Sequence, residues 1–296
     1  MALAQSGWVK EKIETKYPGI RVSLVKIKTK GDKILDSPLA KIGGKGLFVK
    51  EIEEALLRRD VDVAVHSMKD LPADLPEGLQ IAVYPEREDP RDAFVSLEYQ
   101  TLSALPEGAS VGTGSLRRSA QLLHLRSDLH VVPLRGNVDT RLKKLNSENL
   151  QAVILATAGL RRLGYGQRIT QVLSTEEILP AVGQGALGLE LRQDDTKTRD
   201  ALNFLNHEAT ELTVRAERAF LNKLEGGCQV PIAAYSRMEG ERIILQGLVG
   251  ELDGIRVIKD TVAGQKDQPE DIGIRLADKV LAAGADKILA KIYGGR

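Results

Sequence analysis

Aromatic side chains are scarce in this chain: six Tyr, four Phe and one Trp among 296 residues. A surface that stacks nucleic-acid bases needs several such rings among its basic residues, so nucleic acid is excluded as the expected partner. Cysteine is scarcer still, and the single Cys228 rules out an internal disulfide framework. The four histidines are scattered, and no second cysteine exists to complete a zinc-ligand set with His124 and His130. No metal is expected. No run approaches the roughly 18 apolar residues that a membrane helix requires, and the start, M-A-L-A-Q-S-G-W-V-K, lacks the basic-then-apolar order of a secretory leader. The expectation is a cytoplasmic protein with no membrane partner. Nor does a heptad or broad apolar stripe demand a second copy, which makes a monomer the expected state.

An excess of charge of one sign is also missing overall, since the net charge is +1. The distribution along the chain is uneven, however. Ser110 to Thr170 carries ten Arg or Lys against three Asp or Glu, +7, which leaves about −6 for the rest. Such asymmetry predicts a region that receives anions. With so few rings present, small carboxylates or phosphates fit it better than nucleic acid.

Hydrophobic content of 42% and charged content of 28% are those of an ordinary globular protein, and the length suits two or three domains. Through residue 200, short β-branched runs alternate with amphipathic helical stretches, which predicts α/β units with largely parallel sheets. Strands are expected at 22–27, 61–65, 109–112, 129–133 and 152–156, and helices over 46–59 and from near Ser115 and Asn137. The proline-punctuated Y-P-E-R-E-D-P-R-D, 84–92, reads as a crossover or hinge. Beyond Leu191 the pattern becomes α+β. A helix is predicted over 208–224, strands over 242–250 and 255–262 flanking L-D-G, and helices near 270–283 and 286–292.

Six stretches are candidates for chemistry. In G-T-G-S-L-R-R-S, 112–119, the glycines permit close backbone approach, Ser115 can cap, and the helix start favours an anion. A plain capped helix start explains the turn equally well, but Arg117 and Arg118 in the first helical turn oppose the dipole by roughly 0.3–1 kcal/mol each. A bound carboxylate would offset that cost. Arg135 and Arg141 in P-L-R-G-N-V-D-T-R, and Arg161 and Arg162 in A-T-A-G-L-R-R-L-G, repeat the arrangement. Each alone can be a solvated face. Together, at strand ends of one α/β unit, they read as a polycarboxylate cleft. V-D-V-A-V-H-S-M-K-D-L-P, 61–72, brings His66, Lys69 and Asp70 to another strand end, where a salt-bridged turn and a core histidine are the bland alternatives. K-I-G-G-K-G-L-F-V-K, 41–50, lacks phosphate-loop spacing and reads as a basic loop offering Lys41 and Lys45. E-G-G-C-Q-V-P, 225–231, sets the only thiol on a pinched loop, where a structural cysteine would sit in an apolar element.

H-S-M-K-D-L-P, G-T-G-S-L-R-R, L-R-G-N-V-D-T-R, P-A-V-G-Q-G-A-L and G-G-C-Q-V-P, in this order across nearly the whole chain, resemble the porphobilinogen deaminase (hydroxymethylbilane synthase) family. The resemblance implies two α/β domains like type II periplasmic binding proteins and a C-terminal α+β domain. On this reading they occupy residues 1–85 with 186–205, 91–180 and 208–296. It implies a transferase of porphyrin, tetrapyrrole and heme biosynthesis that joins four porphobilinogens, releases ammonia each time, and hydrolyses off hydroxymethylbilane. By the same resemblance Cys228 carries a dipyrromethane primer through a thioether. Asp70 is the catalytic carboxylate, and Lys69 is a carboxylate contact or proton-transfer aid. Thr113, Ser115, Arg117, Arg118 and Gly159 join Asp70 and Lys69 around the cofactor, and Arg117, Arg118, Arg135, Arg141, Arg162, Gln5, Lys41 and Lys45 face substrate.

One departure stands out: family members normally begin with a strand, an arginine and a serine just before S-x-L-A-L-x-Q, whereas here only Ala2, Leu3 and Gln5 of that motif match. The expectation is a truncated start, with a strand missing from the first sheet and activity or stability reduced. Two other readings of the residues are a non-catalytic carboxylate-binding protein of the same architecture and a cysteine hydrolase with His207, the histidine nearest in sequence, as base.

Overall fold

The computed structural model describes residues 1–29, 49–72, 74–226 and 230–294. The sequence readings that rest on Lys41, Lys45 and Cys228 fall outside them. Helix α1 (Ala2–Lys16) buries Gln5, Val9 and Ile13, a spacing of four that keeps one helical face on the core. Helix α2 (Lys50–Leu57) follows, and then strands β1 (Ala64–Ser67) and β2 (Leu79–Val83). Both strands pair with β8 (Leu187–Arg192), a much later strand that lies between them, and both pairings are antiparallel.

The middle of the chain supplies β3 (Asp92–Val95), β4 (Ser110–Gly112), α3 (Leu116–Leu125), β5 (His130–Val132), α4 (Val138–Ser147), β6 (Ala152–Ala156), α5 (Thr157–Arg162) and β7 (Gln171–Val172). Their five strands form one sheet in the order β5-β4-β6-β3-β7. β4 runs parallel to β5 and β6, while β3 runs antiparallel to β6 and β7. Sheets that are largely parallel were expected, and this is corrected: among the described residues, parallel pairs are confined to β4 and its two neighbours. The chain crosses between the first two sheets at 84–91 and returns at 180–186, which reverses the direction of β3 and of β8 relative to their neighbours.

Helices α6 (Thr196–Leu202) and α7 (Glu208–Lys223) lead into a meander of β9 (Ile232–Glu239), β10 (Arg242–Gly250) and β11 (Val257–Gln265), closed by α8 (Pro269–Val280) and α9 (Asp286–Gly294). Phe220 of α7 and Leu276 of α8 are fully buried with Ile243 and Leu245 of β10, as the core of an α+β layer pair. The molecule thus has two α/β units and a C-terminal α+β unit. Among the described residues no helix is long and apolar enough to cross a membrane.

Residues 22–27, expected as a strand, make no ladder. Leu24 and Val25 are 43% and 60% exposed, and the Val22 amide donates to the Glu14 carboxylate at 2.9 Å instead. Strand β9, not expected from sequence, pairs with β10 along its length.

One carboxylate ties the three units together. Glu217 of α7 is fully buried and accepts both terminal nitrogens of Arg87, from the outgoing crossover, at 2.6 and 3.1 Å. It also accepts the Gly183 amide of the returning crossover at 2.7 Å, and the Ser236 amide and hydroxyl of β9 at 2.9 and 3.0 Å. Gly183 takes a left-handed φ of 67°, and a side chain there would begin 2.7 Å from the Met68 Cβ. Only glycine serves both the turn and the close approach.

Candidate active site

Strand β1 ends in a turn in which the Asp70 amide donates to the Ser67 carbonyl at 2.9 Å, and the Met68 amide donates to Ala186 at 3.1 Å. The turn leaves the Asp70 carboxylate exposed and Lys69 partly buried. His66, on the strand itself, is buried and hydrogen-bonds Glu190 of β8 at 2.8 Å. It is a satisfied core histidine.

Across the crossovers, β4 delivers Thr113, buried at 3% exposure, and Gly114, where a Cβ would collide with the Leu134 carbonyl. Ser115 stands at the N-cap of α3 but makes no side-chain cap bond; the nearby bond runs from its amide to the Thr113 hydroxyl at 3.3 Å. Arg117 and Arg118 follow in the first turn, each only 5% exposed. Both converge on Asp92, at the start of β3, at 2.8 and 2.6 Å. Arg117 also donates to the Leu179 carbonyl at 2.7 Å, and Gln184 donates to Asp92 at 2.8 Å.

The sequence reading left the dipole cost of these two arginines to a ligand. The structure supplies an internal counter-charge in Asp92, which is fully buried. Burial pushes the Asp92 carboxyl up, but Arg117 and Arg118 outweigh it and hold the group well below the usual carboxylate range. A carboxyl depressed on folding adds stability that is fully present above its unfolded pKa of about 3.9 and lost as pH falls below it. Melting temperature is therefore expected to fall steeply below about pH 4. Asp92→Asn is expected to cost roughly 3–5 kcal/mol at neutral pH, because two buried guanidiniums lose their anion, and to flatten that acid limb. Thermal melts from pH 3 to 7 check both.

Two guanidiniums sharing one carboxylate leave an excess positive charge, and Lys69 adds to it. Burial lowers the Lys69 ammonium from its ordinary value; Asp70 and Asp92 oppose the fall, while Arg118 and Arg117 deepen it. Burial likewise lowers Arg141 of α4, with Arg118 adding to the fall and Asp70 opposing it. Lys69, Asp70, Arg117, Arg118 and Arg141 therefore share one electrostatic neighbourhood, drawn from the ends of β1 and β4 and the start of α4. The Nε atoms of Arg117 and Arg118 are buried with no hydrogen-bond partner among the described residues. A donor set with surplus positive charge and orphaned guanidinium N–H groups fits a group that carries carboxylates.

The remaining residues spread around this cluster. Arg141 donates from Nε to the Gly136 carbonyl at 2.9 Å, its Nη2 lying next to Gly114. Arg162 of α5 donates to the Gly185 carbonyl at 2.7 Å, which places it on the returning crossover, and burial lowers it while Glu88 opposes. Arg135 is exposed beyond β5. Gly159 of α5 faces the amino terminus, since a Cβ there would lie 3.3 Å from the Met1 Cε, and Gln5 is buried on α1. Asp92, Gln184, Arg87, Glu217 and Arg218 were not anticipated. Asp92 had a signal, a carboxylate opening the apolar strand D-A-F-V in a region of basic surplus.

His207 caps α7, its ring nitrogen and the Thr210 hydroxyl lying 2.9 Å apart. The helix runs 16 residues from Glu208 to Lys223, about 24 Å at 1.5 Å per residue, and the E-G-G-C-Q-V-P loop follows its far end. His207 therefore stands at the opposite end of the helix from the point where the chain enters that loop.

Comparison with known proteins identifies the family. Residues 1–200 match the family "Porphobilinogen deaminase, dipyromethane cofactor binding domain", and residues 211–282 match "Porphobilinogen deaminase, C-terminal domain". The chain is 56% identical over 293 residues to porphobilinogen deaminase of Geobacter metallireducens, which covers 99% of this chain and 92% of that one. It is 55% identical over the same length to the Geobacter sulfurreducens enzyme, with the same coverage. It is also 55% identical to that of Trichlorobacter lovleyi, covering 99% and 94%. With two family matches across nearly its full length and relatives of this similarity, the chain belongs to the porphobilinogen deaminase family.

Proposed function

We infer that the protein condenses four porphobilinogens head to tail into hydroxymethylbilane, with loss of ammonia at each step, as a transferase of tetrapyrrole biosynthesis. The observation that carries this reading is the convergence of Arg117 and Arg118 on the single carboxylate of Asp92, with Arg141 beside Gly114, which leaves surplus positive charge that Lys69 and Asp70 feel. Porphobilinogen carries an acetate and a propionate, so a growing chain gains two negative charges per ring. Guanidiniums pair such groups bidentately, each charge-assisted bond contributing roughly 1.5–3 kcal/mol.

The family carries a dipyrromethane cofactor, and Cys228 is proposed as its attachment point, held around the primer by Thr113, Ser115, Arg117, Arg118 and Gly159. When bound, that group supplies the free pyrrole α-carbon to which the first substrate is joined. The proposed work of the chain's own residues is as follows. Arg117, Arg118, Arg135, Arg141 and Arg162, with Gln5, Lys41 and Lys45, hold side-chain carboxylates and so orient each incoming ring. Asp70, exposed at the end of its turn, accepts the pyrrole N–H and opposes the positive charge that develops as the aminomethyl nitrogen leaves as ammonia. The methylene carbon that has lost its bond to nitrogen is then attacked by the free α-carbon, a C–C bond forms between them, and the attacking α-carbon gives up its proton to restore the pyrrole. Lys69, its ammonium lowered by burial, is placed to hold a carboxylate or to take part in that proton transfer.

The test is direct. Purified protein given porphobilinogen is expected to release four ammonia molecules per hydroxymethylbilane, and intact mass is expected to exceed that of the bare chain by two pyrrole units. A binding protein of the same architecture, or a thiol hydrolase, gives the bare mass and no product.

A further inference from the structure

Helix α7 bears on the Asp70 turn from outside the site. One face of it carries Val214 and Arg218, four residues apart and therefore superposed along the helix. Val214 is fully buried in a cluster with Met68 and Leu71, the apolar residues on either side of Lys69 and Asp70. One turn further on, Arg218 donates to the Leu71 carbonyl at 3.3 Å and to the Pro72 carbonyl at 2.7 Å. These carbonyls belong to a loop with no ladder partner, and Pro72 has no N–H of its own. On the other side, the Asp70 amide is closed onto Ser67 and the Met68 amide onto Ala186. The turn is pinned by its own strand before Asp70 and by α7 after it.

The adjacent residue, Glu217, points about 100° around the helix, to the two crossovers and β9. A single helix therefore fixes the crossovers with one side chain and the Asp70 turn with the next, and its carboxyl end continues into the loop that holds Cys228.

We propose that Arg218 is a positioning residue for the condensation, holding the Leu71–Pro72 backbone so that the Asp70 carboxylate is aimed at the ring nitrogens. This rests on the assignment of Asp70 as the catalytic carboxylate. In this role Arg218 acts on neither substrate nor reacting atoms directly. Its effect passes through the two residues that follow Asp70. A displacement near 1 Å in a catalytic group costs on the order of 100-fold in rate, and loss of a two-carbonyl clamp allows a displacement of that order.

The experiment is a double-mutant cycle on the cofactor-loaded enzyme, with loading verified by intact mass. Arg218→Gln is expected to lower kcat roughly 10- to 100-fold and to leave KM within about threefold, because the carboxylate-binding arginines are untouched. Arg218→Lys keeps the aliphatic stem and one donor, and is expected to recover part of the loss; it also serves as the cycle's variant should the Gln protein fail to fold. In an Asp70→Asn background either substitution is expected to have almost no further effect on the residual turnover. An equal fractional loss in both backgrounds, or a change in KM alone, overturns the proposal while leaving Asp70 as the catalytic group. Normal turnover by Asp70→Asn itself overturns the assignment on which the proposal rests.

Discussion

Asp70→Asn is expected to lower kcat by roughly 10²- to 10³-fold, the loss typical when one preorganised electrostatic partner of a transition state is removed. The amide is nearly isosteric and its oxygen still accepts a hydrogen bond, so a pyrrole N–H can dock. On the proposed role of Asp70, what disappears is the full negative charge opposite the cation that forms as ammonia leaves. That charge acts mainly in the transition state, and the prediction is therefore a fall in kcat with KM changed much less. Stability is expected to change little: Asp70 is exposed, and its backbone bond to Ser67 survives the substitution. Steady-state kinetics together with a thermal melt separate the outcomes. An Asn variant with normal kcat removes Asp70 from the chemistry. One with normal kcat and raised KM makes it a substrate-binding residue only.

Legibility in the sequence followed the range of the interactions involved. Strand β6 and strand β10 stand at the residues expected, 152–156 and 242–250, because each is a β-branched or aliphatic run bounded by turn residues, a signal contained within the element. Sheet direction was not legible. β8 lies between β1 and β2 through a return of the chain more than a hundred residues after β1, and no local pattern encodes that. The arginines of the site were legible as a surplus of charge at strand ends. Their partner was not: Asp92 lies 25 and 26 residues from Arg117 and Arg118, and a carboxylate at the head of an apolar strand looks like a turn residue until the sheet closes over it. The same holds for Glu217 and Arg218. Both fall within the helix expected over 208–224 with no local mark to single them out, and only packing of the C-terminal unit against the crossovers and the Asp70 turn buries Glu217 and brings both to their partners. Features carried by one local stretch could be read from it, whereas the buried partners Asp92, Glu217 and Arg218, which meet theirs only on folding, could not.

Cys228→Ser is the substitution with the largest expected effect, loss of essentially all turnover. Forming a thioether requires a sulfur nucleophile, and a free cysteine with pKa near 8.5 supplies a useful thiolate fraction at neutral pH. A serine hydroxyl supplies almost none without a dedicated base, and His207, the nearest histidine in sequence, is engaged at the far end of α7. The variant is therefore expected to give the bare-chain mass while retaining its fold. Asp92 already neutralises one of the two buried arginines, so the site does not depend on the primer for all of its counter-charge. Its melting temperature is nonetheless expected to fall below that of the loaded protein, since a group bound only by the folded state stabilises that state, and its loss leaves the surplus positive charge of Lys69, Arg117, Arg118 and Arg141 uncompensated. Bare mass, depressed melting temperature and absent turnover together support Cys228 as the anchor. A serine variant that keeps the added mass moves the attachment to another residue, and one that turns over without it shows that chain growth does not need a covalent primer at this position.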